Sequence, residues 1–107
     1  MAHITTTTGF DVPGKEIAEI LGVAQGNTVR ARNIGRDIAA GLKNIVGGEI
    51  GTYTKMIGDA RDEAYNRMVN NAVEMGADAI IGVRFTTSTI TEGTSELLAY
   101  GTAVKLK

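Results

Sequence analysis

The chain has 107 residues, a length that favours one domain, and residues 1–107 are treated as a single unit. Its 11 basic and 12 acidic side chains are well mixed and form no basic stripe with aromatic residues, so we expect no nucleic-acid partner. The absence of Cys excludes disulfides and thiolate ligands or nucleophiles. No apolar run resembles a signal peptide or reaches the roughly 20 residues that span a bilayer. We therefore expect a cytoplasmic protein without a membrane partner.

The first part of the chain is predicted to be β structure. The β-branched run Thr5-Thr6-Thr7-Thr8 favours an extended segment over residues 3–7. Residues 9–14 contain the single proline and predict a loop, and residues 16–29 predict a long strand. Gly26-Asn27 indicates a bulge or a turn within that strand. One strand face is expected to carry Ile17, Glu19, Leu21, Val23 and Gln25, and the other Ala18, Ile20, Gly22, Ala24 and Gly26.

Two helices are predicted next. The first begins at Asn33 as N-cap and ends at Gly47-Gly48, and its apolar residues recur at helical spacing. The second covers residues 54–75, with a stripe of Ile57, Ala60, Ala64, Met68 and Ala72. Glu63 and Arg67 stand at the i,i+4 spacing of a helical ion pair. Gly58 lies inside this helix, and close contact with a neighbouring backbone is expected to explain it.

The rest of the chain predicts two strands, at residues 79–90 and 95–106, joined by a turn at Glu92-Gly93. They are expected to form an antiparallel hairpin. In the first of them, one face is predicted to carry Ile81, Val83 and Phe85, and the other Gly82, Arg84, Thr86 and Ser88. Together these elements predict an α+β domain with a small antiparallel or mixed sheet and two helices.

Three strands have a face rich in Gly and Ala, which favours close packing of a helix on the sheet. The opposite faces are also partly apolar, at Leu21, Val23, Leu98, Tyr100 and Val104. Two helices of these lengths cover both faces of a four-stranded sheet poorly. Uncovered apolar surface and open strand edges are typical of interfaces, so a closed ring of copies is expected.

Several separated motifs in order make a family resemblance specific: Ile45-Val46-Gly47-Gly48, Ala60-Arg61-Asp62-Glu63-Ala64, residues 76–85 and residues 99–104. The chain resembles the YbjQ family, also called UPF0145, over essentially its whole length. That resemblance implies a dodecin-like subunit in a homopentamer whose strands form a barrel about the axis. The family carries a heavy-metal-binding label, and the resemblance implies no established activity.

The residue types fit a metal site poorly within one copy. The chain has no Cys and only one His, so no His or Cys pair can chelate a metal. Met56, Met68 and Met75 follow a helical pattern and are expected in the core. In a ring, the His3 side chains of all copies can surround the axis and hold a metal ion or an anion. The competing interpretation is an exposed residue near the terminus.

Arg84 is the most unusual polar position because it lies mid-strand among small residues. It is expected to pair with Glu63 or Glu96, either within the subunit or between subunits, or to capture an anionic ligand with help from Tyr100. No nucleophile and base are recognisable, so an enzyme is not expected. The leading hypothesis is a cytoplasmic homo-oligomeric binding or scaffold protein. The alternatives are a metal-binding protein with a ring or intersubunit site, and a binder of small anionic ligands.

Overall fold

A computed structural model of the chain describes residues 4–30, 51–91 and 94–107. The first predicted helix, the Glu92-Gly93 turn and His3 lie outside these ranges. The described residues form an α+β fold of four strands and one helix. In chain order, the elements are β1 (Thr5–Thr6), β2 (Ile17–Arg30), α1 (Gly51–Glu74), β3 (Ala79–Thr91) and β4 (Thr94–Leu106).

The four strands form one mixed sheet in the order β1-β3-β4-β2. The predicted antiparallel hairpin of β3 and β4 is confirmed, and β4 also pairs antiparallel with β2. β1 pairs parallel with β3 through Thr5↔Ala79 and Thr6↔Ile80. β1 and β2 are the edges, so the sheet of one chain is open and not a closed barrel.

The helix α1 lies on one face of the sheet with the predicted stripe inward. Ala60, Ala64, Met68 and Ala72 are each at most 3% exposed, whereas Ile57 at the outer end is 39% exposed. Small residues of β2 and β4 face this stripe, among them Ala24, Ala99 and Ala103, which are fully buried. The expectation of close helix-on-sheet packing is therefore confirmed.

Gly26 is the point of closest approach between β2 and α1. A Cβ atom there would lie 2.5 Å from the Ala64 carbonyl oxygen and closer still to the Met68 amide nitrogen. No atom of the described residues lies within 4 Å of the Cβ position of Gly58, so the backbone contact expected at Gly58 is not made by this part of the chain. Only hydrogen fits at Gly26 because the helix backbone itself occupies that space. β2 also runs without a turn or register shift at Gly26-Asn27, so the bulge predicted there is wrong.

A bulge in β3 changes which side chains share a face. The register with β4 shifts between Ile81 and Arg84, where Gly82 adopts a φ of 62°. Ile81 therefore packs on the face away from α1, whereas Val83 packs into the cluster beneath α1. The prediction that Ile81 and Val83 share a face is wrong because an inserted residue breaks the two-residue alternation.

β2 has a similar irregularity near its start. Its register with β4 shifts between Ile20 and Gly22. Leu21 packs toward α1, Ile17 packs on the other face, and Val23 is 63% exposed. The predicted grouping of these three side chains on one face is wrong for the same physical reason.

Among the described residues, no helix packs on the sheet face opposite α1, which is only partly covered, and we call it the helix-free face. Ala79, Ile81 and Val104 are buried there, with Val12, Ile17 and Leu106 packed around them. Other apolar side chains on this face remain in contact with solvent: Ile20 (68% exposed), Val23 (63%), Val29 (49%) and Tyr100 (36%).

Gly26→Ala is expected to lower the free energy of unfolding by about 3 kcal/mol, because the new methyl group meets helix backbone atoms that cannot move separately. Gly58→Ala is the matched control. It should raise the free energy by about 0.5–1 kcal/mol, since a helix favours Ala and the site has room. Urea denaturation at one fixed protein concentration measures both. A Gly26→Ala variant as stable as the parent would contradict the close approach.

Candidate functional site

The structure separates the residues that the sequence grouped into one site. Arg84 and Tyr100 are register partners on neighbouring strands and lie on the helix-free face. Glu96 lies farther along β4, opposite Ser88. Glu63 lies on α1, on the other side of the sheet. His3 precedes the described residues, so its predicted role as a metal ligand is a prediction without a structural counterpart.

Arg84 binds the segment that follows β1. Its guanidinium donates to the carbonyl oxygens of Thr8, at 2.9 Å, and Val83, at 2.8 Å. The guanidinium carbon also lies 5.6 Å from the centre of the Phe10 ring, within the range of a cation–π contact. Arg84 therefore holds the loop after β1 against β3. The ion pairs found among the described residues do not include Arg84, and its predicted pairing with Glu63 or Glu96, within or between subunits, stays a prediction.

Glu63 forms the predicted i,i+4 ion pair with Arg67. The Arg67 guanidinium also donates to the Asn27 carbonyl oxygen at 2.6 Å. One turn further along α1, the side-chain oxygen of Asn71 accepts the Gln25 amide hydrogen at 2.9 Å. Two backbone groups on the outer side of β2 are thus bound by helix side chains. These contacts cap part of an edge that would otherwise be open to pairing with another strand.

A polar cleft of about 420 Å³ lies beside this capped edge, and we call it the edge cleft. The Asn27 side-chain amide donates to a Glu96 carboxylate oxygen at 2.9 Å across the strands. Leu98, the register partner of Asn27, forms an apolar part of its wall. The residues that line it are Gln25, Gly26, Asn27, Asn71, Glu96 and Leu98.

The chemistry of the edge cleft favours a ligand that donates hydrogen bonds. Glu96 supplies a carboxylate, and the ion pairs found among the described residues do not include it. The side-chain amides of Gln25 and Asn27 add carbonyl oxygens, which accept hydrogen bonds. A guanidinium or ammonium group matches such a set. None of the lining residues carries a thiol, a hydroxyl or an imidazole, so Glu96 is the one lining side chain of a type that serves as a nucleophile in enzymes.

Of the residues that line the edge cleft, Glu96 alone was among the predicted site residues, and the polar residues Gln25, Asn27 and Asn71 were missed. Asn71 gave a weak signal, since Asn has poor helix propensity and interior positions usually have another reason for it. That reason is its contact with the Gln25 amide. Gln25 gave no signal, because a polar residue on a half-exposed strand is ordinary.

A metal ion needs several ligand side chains close together in space. Among residues 4–30, 51–91 and 94–107, no three His, Cys, Asp or Glu side chains lie close enough together to hold one. The described part of one chain therefore does not fit a metal site. Ligands from several copies would be required, or ligands outside these ranges. Helices able to cross a membrane are likewise absent from the part of the chain that the structure describes.

Comparisons with known proteins identify relatives over the whole chain. A family described as "Putative heavy-metal-binding" matches residues 4–107. A UPF0145 protein of Archaeoglobus fulgidus is 62% identical over 105 residues, covering 98% of this chain and 97% of the relative. A UPF0145 protein of Psychromonas ingrahamii is 61% identical over 107 residues, covering 100% and 99%.

A solved structure has the same fold. The crystal structure of a protein of unknown function from Pediococcus pentosaceus matches with a TM-score of 0.62, covering 97% of this chain and 98% of that one. The two sequences are 18% identical, so the likeness concerns the fold alone.

Asn71→Ala is expected to speed hydrogen exchange at the Gln25 amide about fivefold, because that amide loses an acceptor worth about 1 kcal/mol. Asn70→Ala is the matched control, since Asn70 is exposed on the same helix and should leave the Gln25 amide unchanged. Residue-resolved hydrogen exchange measures both. Equal rates in the two variants would show that Asn71 does not cap the edge.

Proposed function

The chain belongs to the UPF0145 family, and from this premise we propose that it is a homo-oligomeric binding or scaffold protein of the cytoplasm, without enzymatic activity. Its copies close into a ring, most simply a pentamer with a dodecin-like arrangement of strands about the axis. The observation that carries this proposal is the helix-free face, where Ile20, Val23, Val29 and Tyr100 remain exposed. Several large apolar side chains exposed on one sheet face are typical of interfaces.

The sheet edges favour the same assembly. β1 covers β3 only at Ala79 and Ile80, although the following residues add hydrogen bonds as far as Val83. Beyond Val83, β3 continues to Thr91 with β4 as its only strand neighbour in the described chain. Long open edges are usually paired or covered in folded proteins. A second copy offers both the missing strand and a partner for the exposed face.

The elongated shape of the chain also favours contacts with other copies. The Cα atoms extend 54 × 27 × 22 Å, which is long for a domain of this size. The far half of the β3 strand of the hairpin is poorly covered, since residues Arg84 to Thr91 are all exposed. Such a strand buries little surface in its own subunit, so it is well placed to contact a neighbour.

Native mass spectrometry and light scattering test the assembly, and we expect a single closed species of five copies. Val23→Lys should weaken it more than hundredfold, because burying an unpaired ammonium costs several kcal/mol. Val73→Lys is the matched control, since Val73 is exposed on α1 and away from the helix-free face. A parent chain that stays monomeric at micromolar concentration would overturn the proposal.

A second candidate function is metal binding between subunits, which the family description favours. The ligands would be one His3 from each copy around the ring axis, because the described residues of one chain supply no cluster. Elemental analysis of untagged protein is then expected to find about one metal ion per ring. His3→Ala should abolish it while the assembly persists. Failure to take up zinc, copper or nickel on titration would reject this candidate.

The third candidate, capture of a small anion, rests on the pairing of Arg84 with Tyr100. The Arg84 contacts to Thr8 and Val83 use one terminal nitrogen, so its other donors can bind an anion beside the Tyr100 hydroxyl. Calorimetric titration with phosphate and carboxylates is expected to detect binding that Arg84→Gln removes.

A further inference from the structure

Two side chains of opposite charge lie on the helix-free face without a charged partner. Arg84 bonds only to backbone oxygens and contacts the Phe10 ring, and Glu96 bonds only to the Asn27 amide. No opposite charge within the described ranges neutralises either of them. Each therefore has capacity left for a charge-assisted contact.

These two side chains cannot reach each other within one chain. Arg84 is in register with Tyr100, and Glu96 lies four residues away from Tyr100 on β4. At roughly 3.3 Å per residue the separation along the strand is about 13 Å, before the spacing between strands is added. A contact between Arg84 and Glu96 therefore requires two copies of the chain.

On this shared face, the two groups lie toward opposite edges of the sheet. Arg84 belongs to β3, at the point where the segment after β1 stops covering that edge. Glu96 points with Asn27 into the edge cleft beside β2, the other edge strand. In a ring, one surface of each copy meets a different surface of its neighbour, and the two open sides of this sheet, at β3 and at β2, are such a pair of surfaces. Their pairing brings Arg84 of one copy toward the edge cleft of the next.

We propose that the edge cleft receives the Arg84 side chain of a second copy, with Glu96 as its counter-ion. This inference rests on the ring assembly proposed above and names the contact that fixes its register. The guanidinium carries five donors, and the bonds to Thr8 and Val83 involve one terminal nitrogen. The remaining donors face the Glu96 carboxylate and the side-chain oxygens of Gln25 and Asn27.

The hydrogen-bond acceptors of the edge cleft are already held in position for a guanidinium group. The Asn27 amide fixes the orientation of the Glu96 carboxylate, and Arg67 holds the Asn27 backbone through its carbonyl oxygen. Asn71 fixes the backbone of Gln25. A planar guanidinium gains most from acceptors that are already positioned, since Arg loses less freedom per bond formed than a flexible ammonium. The contact would thus select one arrangement of neighbouring copies.

A charge-reversal cycle tests this contact. Glu96→Arg and Arg84→Glu are each expected to raise the dissociation constant of the assembly at least tenfold, and the double variant should recover most of the loss. Asp62→Arg and Arg61→Glu are the matched controls, because both residues are exposed and lie on α1 more than two helical turns before Asn71, away from the edge cleft. Sedimentation velocity over a dilution series measures each constant, and circular dichroism checks folding. Glu96→Gln, which leaves the shape almost unchanged, should also weaken assembly.

The outcomes separate this contact from the ring itself. A parent ring whose dissociation constant changes less than twofold in both single reversals would reject the contact and leave the ring proposal intact. Additive losses in a folded double variant would reject it as well. A monomeric parent chain would reject the ring and the contact together. If free arginine or guanidinium binds the monomer through Glu96, the edge cleft is a ligand site, and the second copy is the wrong occupant.

Discussion

The contact between Gly26 and the backbone of α1 determines the rest of the structure. It sets the distance between helix and sheet, and the alanines on both sides are small enough to follow the same spacing. With α1 so close, Asn71 and Arg67 reach over the edge of β2 and bind its backbone. The same contact leaves the opposite face of the sheet without a helix from the described residues.

That opposite face combines features that normally occur at interfaces. One end of that face, at the start of β3, is buried with the help of Val12 from the loop after β1, whereas the rest keeps exposed apolar side chains. Arg84 and Glu96 lie on the same face, far apart in one chain, and neither has a counter-ion among the described residues. Apolar surface provides the stabilising free energy of association, and the charges determine which arrangement of copies is favoured. The ring proposal accounts for both features by one symmetry operation.

The element types and most boundaries were predictable because hydrophobic periodicity and turn residues are local properties. The helix predicted over residues 54–75 is Gly51–Glu74, and the hairpin strands differ from their predictions by one residue. The bulges near Gly22 and Gly82 were not predictable, since alternation assumes an unbroken two-residue period. The tight glycine is Gly26 and not Gly58, because the close approach depends on tertiary packing that no local pattern specifies. Arg84 was correctly singled out as unusual, but its partners are backbone oxygens and a ring brought there by a distant segment.

Membership of the UPF0145 family does not by itself assign a ligand or a reaction to the chain. The family is described as heavy-metal-binding, but the described residues contain no cluster of metal ligands. The central claim is that copies of the chain close into a ring through the helix-free face and the sheet edges. An experimental structure of the assembly, purified without a tag, tests this claim most directly. The account predicts a closed ring in which β3 of one copy lies beside β2 of the next, with Val23 and Tyr100 withdrawn from solvent. Separate subunits with both side chains in water would contradict it.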